Sequence, residues 1–420
     1  MTEQMNIPKL RFGEFEGDWN AEKLGAYSKH ITYGLTVRPK FVEDGIPLIS
    51  AREITSGEVK YSQAPQISLS EFNNLSDKAK PIVGDLFLSK TGTIGFSAQN
   101  TTSQPVAITQ NIAVIRMDDA NVLSPNYVLH YFKTKKFYRS AISKVNQSTI
   151  MDLQLGDIKR LPIPLPPNFL EQQKIASFLT KVDEKIALLT EKQNKLTEYK
   201  KGVMQQLFNG KWEKQDRQLT FIPPTLRFKA DDGSEFPDWE EKKLSNFLKE
   251  SRIKGDSGDK AKKLTVKLWG NGVHEKNEVR DGSVNTQYYV RKAGQLIYSK
   301  LDFLNCAFGI VPEYLCGYQS TLDLPCLDID TTIVHPYFLL ERVKQKSFYK
   351  KFGDTADGSR KAKRIHVDVF TGFLMPLPSL EEQEKITNFL LSLDQKIDLA
   401  NSELEKAKEW KKGLLQQMFV

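Results

Sequence analysis

The sequence predicts an α+β protein built as two tandem mixed α/β domains, each followed by a long helix. The two helices are expected to pair as an antiparallel coiled coil about a pseudo-two-fold axis. Three observations predict this. The phrase EYKKGVMQQLF (198–208) returns as EWKKGLLQQMF (409–419). Extended backwards without a gap, 171–208 aligns with 382–419, and 18 of the 38 pairs are identical. Short β-like runs punctuated by Gly, Pro, Asn and Asp fill the long regions before each phrase.

The repeat reaches much further than the helices. PKLRF (8–12) answers PTLRF (224–228), and GDWNAEKL (17–24) answers PDWEEKKL (237–244). GDLFLSK (84–90) recurs as GQLIYSK (294–300), and NYVLHYFKTKKFYRSAI as PYFLLERVKQKSFYKKF. Two copies are too few and too large for a solenoid. The expected order is a first domain over 1–167, a helix over 168–208, a linker over 209–223, a second domain over 224–378 and a helix over 379–420. NYVLHYFKTKKFYRSAI and its counterpart PYFLLERVKQKSFYKKF each read as a helical run.

Composition bounds the function. The charged fraction is 27%, the apolar fraction 40%, and the net charge +8 with a pI near 9.0. That balance suits a polyanionic partner without requiring one. Cys306, Cys316 and Cys326 form neither a disulfide framework nor a zinc spacing, and they fit thiols of a reducing cytosol. The start of the chain has no apolar secretory core, and no stretch approaches 18 apolar residues, so no membrane contact is expected.

The helix starts are signalled by prolines and caps. PLPPNFLEQQ and PLPSLEEQE place Asn168 three residues before Glu171 and Ser379 three before Glu382. That is capping-box spacing, in which the Glu reaches back to the cap. A 4–3 apolar seam follows: Ile175, Leu179, Val182, Ile186, Leu189, Leu196, Val203 and Leu207 in the first helix. The second carries Ile386, Leu390, Leu393, Ile397, Ala400, Leu404, Ala407, Leu414 and Met418. Gln193, Lys200 and Lys411 interrupt the seam. Gly202 and Gly413 sit inside helix, where Gly costs about 1 kcal/mol against Ala. Lys200, Lys201, Gly202, Gln205 and Gln206, repeated as Lys411, Lys412, Gly413, Gln416 and Gln417, therefore mark a candidate partner-binding surface. A helix end inherited by duplication is the other reading of the same residues.

Polar and basic residues gather in candidate loops. ITYGLTVRPK carries Arg38 and Lys40, SKTGTIG carries Lys90, Thr91 and Thr93, and ITQN ends in Gln110 and Asn111. The second half offers Lys300 and the run TADGSRKAKRIH, with Arg360, Lys361, Lys363 and Arg364. Lys and Arg neutralise phosphates, Arg also forks onto guanine, and Asn or Gln pairs with adenine. A charge run is also commonly just a solvated face. The two halves differ most in these loops, as expected of one scaffold reading two targets.

Catalytic constellations are missing from the sequence. There is no GxxxxGK[ST] phosphate loop. PPNF (166–169) carries the letters of an adenine-methyltransferase motif in the wrong order. PDWEEKK (237–243) is too tight for a PD…ExK nuclease. His30, His130, His274, His335 and His366 are scattered, with no metal-ligand spacing.

Taken together, LPIPLPPNFLEQQKI, MPLPSLEEQEKI, KKGVMQQLF, GDLFLSKTGTIG and the tandem order resemble the specificity subunit of Type I restriction-modification systems. The resemblance covers essentially the whole chain. It implies a prokaryotic, cytoplasmic, non-catalytic subunit whose two halves are target recognition domains for a bipartite, asymmetric site on double-stranded DNA. It implies two modification subunits and two restriction subunits as partners. S-adenosylmethionine, ATP and Mg would act in those partners, with no cofactor or metal on this chain. The alternatives from other classes are a coiled-coil scaffold that ignores DNA and a self-sufficient nuclease or methyltransferase.

Overall fold

A computed structural model describes residues 6–145, 151–215, 218–277, 282–353 and 364–420. The chain divides into two compact units, Met1–Lys192 with Ala400–Val420, and Gln193–Leu399. Each unit thus holds the beginning of one long helix and the end of the other. The helices span Phe169–Phe208 and Leu380–Gln417.

The first unit is organised by a four-stranded antiparallel sheet of Ser28–Tyr33, Ile112–Met117, Leu86–Ser89 and Ser97–Gln99, in that order. GDLFLSK and NIAVIRM read as unbroken apolar runs because both faces of this sheet are covered. Leu86, Leu88, Ala113 and Ile115 face one core cluster, while Phe87, Ile112 and Val114 face another. Burying one such Leu or Phe contributes about 1.5–3 kcal/mol. A second four-stranded sheet orders Phe41–Val42, Gln66–Ile67, Ile46–Ile49 and Ala107–Ile108.

The second unit repeats the first sheet with Leu248–Ser251, Cys326–Ile329, Leu296–Tyr298 and Phe308–Ile310. The alternation is the same: Leu296, Tyr298 and Leu327 face one cluster, Ile297 and Cys326 the other. Its remaining strands differ from those of the first unit. They form a three-stranded sheet of Lys254–Ser257, Gln287–Val290 and Gln319–Ser320, and a hairpin of Leu264–Val266 with Val273–Glu275.

The repeated entry motifs now have a physical reason. Asn20–Lys23 pairs antiparallel with the proline run Pro162–Leu165, and Glu240–Lys243 pairs with Leu374–Leu377. Two-stranded pairing leaves an open edge on each side, where proline is tolerated. Trp19 and Trp239 are buried beside these ribbons.

Three local expectations change. Asn168 caps its helix by accepting from Leu170 N (2.8 Å), and Ser379 Oγ accepts from Glu382 N (3.3 Å), but neither Glu reaches back. Instead Arg11 grips Glu171 at 2.8 Å through both Nε and Nη2, and Arg227 grips Glu382 at 2.9 and 2.7 Å. Both carboxylates are fully buried. The neighbouring Gln172 accepts from Ser124 N (3.2 Å), and Gln383 accepts from His335 N (2.8 Å), fixing the next helix start. NYVLHYFKTKKFYRSAI is two helices, Pro125–Phe132 and Lys135–Ile142, because Thr134 Oγ1 accepts from Phe137 N (3.1 Å) and starts a new one. Its counterpart likewise breaks into Pro336–Val343 and Lys346–Gly353. Finally, the stretch expected as a linker forms an antiparallel ribbon of Lys211–Gln215 with Gln218–Ile222.

Within the first unit the helix segments run in opposite directions. Phe178 meets Trp410 at 6.1 Å between ring centroids, and Lys192 pairs with Glu403 at 3.3 Å. Leu414, Leu415, Met418 and Phe419 enter the core that holds Tyr127 and Tyr131. In the second unit Val203, Leu207 and Phe208 enter the core that holds Phe338, Ile386 and Leu390.

Candidate nucleic-acid interface

In the first unit, backbone hydrogen bonds gather four loop segments at the end of the Leu86–Ser89 strand. Leu35 N donates to Ile108 O (2.8 Å), and Gln110 N donates to Leu35 O (2.9 Å). Gly34 permits this approach, since a Cβ there would stand 1.8 Å from Ile108 O. Lys90 N donates to Asn111 O (2.9 Å), Leu153 N to Lys90 O (2.8 Å) and Gly92 N to Met151 O (2.8 Å). The edge therefore carries Thr91, Thr93, Gln110 and Asn111 together. Thr93 and Gln110 are exposed, and Asn111 is half-buried.

Lys90 plays a different part from the exposed cation expected. It is buried, its Nζ lies 2.6 Å from Asp152 Oδ1, and Thr91 Oγ1 also donates to Asp152. Partial burial pushes the Asp152 carboxyl up, but the hydrogen bonds from Lys90 and Thr91 outweigh it and hold it below the usual range. Lys90 thus braces the loop through a neutralised pair. Asp152 was not legible in the sequence, because it lies 62 positions from Lys90. Arg38 and Lys40 are exposed; the Arg38 guanidinium stands 5.8 Å over the exposed Phe41 ring, and Lys40 N donates to Glu71 Oε1 (3.2 Å).

The second unit rebuilds this edge with other chemistry. Ile365 N donates to Lys300 O (3.1 Å), as Leu153 N does to Lys90 O. A short helix follows each donor, Leu155–Lys159 in one copy and Val367–Thr371 in the other. This equivalence puts Arg364 where the first copy has Asp152. Arg364 lies 3.9 Å from Asp323, an exposed pair worth little. Lys300 is half-buried. Arg360, Lys361 and Lys363 lie outside the described residues.

The candidate partner surface divides. Lys200 and Lys411 do not face outward as expected; Lys200 pairs with Asp394 at 2.5 Å, and Lys411 pairs with Asp183. Lys201, Gly202, Gln205, Gln206, Lys412, Gln416 and Gln417 are exposed, while Gly413 is half-buried. A Cβ added at Gly202 would meet nothing within 4 Å. No packing inside the chain therefore explains that glycine.

Among the described residues, no three His, Cys, Asp or Glu converge as metal ligands, and no helix is long and apolar enough to cross a membrane.

Residues 41–198 match the family described as the Type I restriction modification DNA specificity domain. That match places a Type I DNA specificity domain within this chain. Its role is DNA specificity. The chain is 23% identical to the type I restriction enzyme MjaVIII specificity subunit of Methanocaldococcus jannaschii, over 96% of this chain and 92% of that one. A provisionally named MjaX specificity subunit of the same organism is 26% identical, covering 99% of this chain and 96% of its own. In fold, the specificity chain is similar to the crystal structure of a Type-I restriction-modification S subunit from M. genitalium. That match has a TM-score of 0.58 at 15% identity and covers 99% of both chains. A structure from work on complex assembly and conformational transition of the type I R-M system gives a TM-score of 0.56 at 15% identity, over 97% and 98%.

Proposed function

We propose that this specificity subunit reads a bipartite, asymmetric site on double-stranded DNA, one half-site per copy, and does no chemistry itself. One observation carries the reading: the same four-stranded frame and the same Arg–Glu lock occur twice, while the loops and second sheets on them differ. The target recognition domains are 1–167 and 224–378, joined through 209–223. The helices of 168–208 and 379–420 form the antiparallel coiled coil that spaces them. The opposed pairings Phe178–Trp410, Lys192–Glu403 and Lys200–Asp394 support that arrangement. Helices of 40 and 38 residues are about 60 and 57 Å long, longer than the roughly 34–36 Å of one DNA turn.

Base contacts come from the edges around Thr91, Thr93, Gln110 and Asn111 and around Lys300 and Arg364, with Arg38 and Lys40 on phosphates. The exposed residues around Gly202 and Gly413 dock two modification subunits, and two restriction subunits join that complex. S-adenosylmethionine, ATP and Mg are used there, in the cytoplasm, and none is held by this chain. A swap tests the scheme: replacing 20–160 by the matching domain of another specificity subunit changes one half-site only. Methylation profiling of DNA from cells expressing the complex reads the outcome. A change in both half-sites would refute modular reading.

A further inference from the structure

Only two non-glycine residues among those described have a left-handed backbone: Trp269, with φ of 60°, and Cys306, with φ of 53°. A bulky residue in that region is strained, and strain persists where the surroundings impose it. The two are neighbours. Gly270 N donates to Cys306 O (2.8 Å), so one hydrogen bond joins both distortions.

Trp269 sits at the tip of the hairpin joining Leu264–Val266 to Val273–Glu275. Lys267 N donates to Gly272 O (2.9 Å) and closes the tip. Asn271 Nδ2 donates to Leu268 O (2.9 Å), bracing it from within. Gly270 and Gly272 add φ values of 71° and 78°, so three of the four residues 269–272 are left-handed. This rigid turn holds an indole that is 64% exposed beside a Leu268 that is 40% exposed. Both the backbone strain and the uncovered indole are unfavourable for the isolated chain.

The place of the tip says what covers it. Cys306 closes the loop that begins at Lys300, since Ser299 N donates to Ala307 O (3.0 Å). The tip is therefore fastened to the same loop as the reading edge of the second unit. Lys267 and His274, which flank it, are exposed. A projecting, immobilised apolar pair beside an exposed lysine fits a DNA base step: the indole stacks on or between bases while Lys267 meets phosphate. We propose that Leu268–Trp269 is a base-stacking wedge that reads a base step of the second half-site. This rests on the DNA reading given above.

The test uses the chain assembled with its modification subunits and a pool of randomised duplexes. The wild-type complex enriches a bipartite motif. Trp269→Ala weakens binding to that motif by about tenfold or more, as lost base stacking does. It also flattens preference at one or two adjacent positions of one half-site only. Trp269→Phe restores most of the affinity. Trp269→Gly loses affinity as Ala does, yet melts no lower than wild type, because glycine accepts the left-handed backbone freely. That combination separates a wedge from a residue needed for folding. Affinity within about twofold of wild type and an unchanged motif in Trp269→Ala would overturn the wedge while leaving the DNA reading intact. So would loss of a modification subunit with DNA preference unchanged, which would make the tip a protein contact. If the wild-type complex enriches no motif, the DNA reading itself fails and takes the wedge with it.

Discussion

Removing Arg227 should loosen the start of the second long helix, and the size of the effect follows from its contacts. The guanidinium donates to both oxygens of Glu382, at 2.9 and 2.7 Å, and Nη2 also donates to Pro237 O at 2.6 Å. Its pKa is raised first by the hydrogen bond to Glu382, which states the same coupling from the cation's side. Glu382 is wholly buried. Arg227→Met keeps an apolar stem of similar reach but strands that carboxylate. Breaking a buried pair from one side costs about 3–5 kcal/mol. The helix N-terminus returns up to about 1 kcal/mol to the lone anion, so about 3 kcal/mol is expected. Adding Glu382→Met removes the stranded charge; what persists is the loss of the Nη2 donor to Pro237 O and to Phe236 O, the latter at 3.2 Å, about 1 kcal/mol each. The double variant should therefore be more stable than Arg227→Met alone. Urea unfolding of the four-member cycle measures this, with hydrogen exchange over 380–390 reporting locally. Additive effects of the two substitutions, or a cost below about 1 kcal/mol for Arg227→Met, would refute the buried-lock account. Arg11→Met should reproduce the result in the first unit.

Three other outcomes follow from the same contacts. Burial, with Lys133 and Lys411 adding repulsion and Asp183 opposing them, pushes buried His130 down to about 3. The unfolded chain then binds the proton that the folded one refuses. Stability should fall by up to about 1.4 kcal/mol per pH unit as pH drops from about 6.5 towards 3. His130 Nε2 lies 3.2 Å from Thr180 Oγ1, and His130→Gln, which keeps a partner for that hydroxyl, should flatten that part of an acid-unfolding series. Lys200→Met, which leaves Asp394 without its cation, should cost about 1 kcal/mol in urea unfolding, whereas Lys201→Met on the exposed face should cost almost nothing. Lys300→Ala, if Lys300 meets a phosphate, should lower the slope of log affinity against log salt by about 0.9; an unchanged slope would place that cation off the DNA.

Helices and strands were legible because each is written in local order. The seam residues Ile175, Leu179 and Val182 recur at helical spacing, and all three are buried. The locks were not legible, since Arg11 and Glu171 lie 160 positions apart and each has a plausible local role. Glu171 stands at capping-box distance from Asn168, and short-range chemistry alone favours that partner. The arginine wins because two charge-assisted bonds to the buried Glu171 outweigh one reach back to a backbone amide. The break at Lys133 hid for a related reason. The run from Asn126 to Ile142 keeps its helical period on both sides, and only the Thr134 cap marks the interruption. Lys90 illustrates the limit for the candidate edge. A lysine after a strand looks like a phosphate contact until a distant aspartate is folded against it.

That aspartate also says how duplication yields two readers. Lys90 and Lys300 hold the same backbone place, and their carbonyls accept the same hydrogen bond. What stands beside them differs in sign: Asp152 in one copy, Arg364 in the other. The first edge is therefore locally neutral and presents hydroxyls and amides, Thr93, Gln110 and Asn111. Such groups discriminate bases by hydrogen bonding. The second edge gathers two cations, Lys300 and Arg364, against the one exposed carboxylate of Asp323, and its strained hairpin adds an indole. Phosphate attraction and stacking carry less sequence information per contact than paired hydrogen bonds do. Exchanging the sign should move one property from copy to copy. Asp152→Asn, which frees the charge of Lys90, should steepen the salt dependence contributed by the first half-site while weakening its base discrimination. If binding selections and salt titrations showed no change in either, the edges would owe their difference to something other than this one pair of positions.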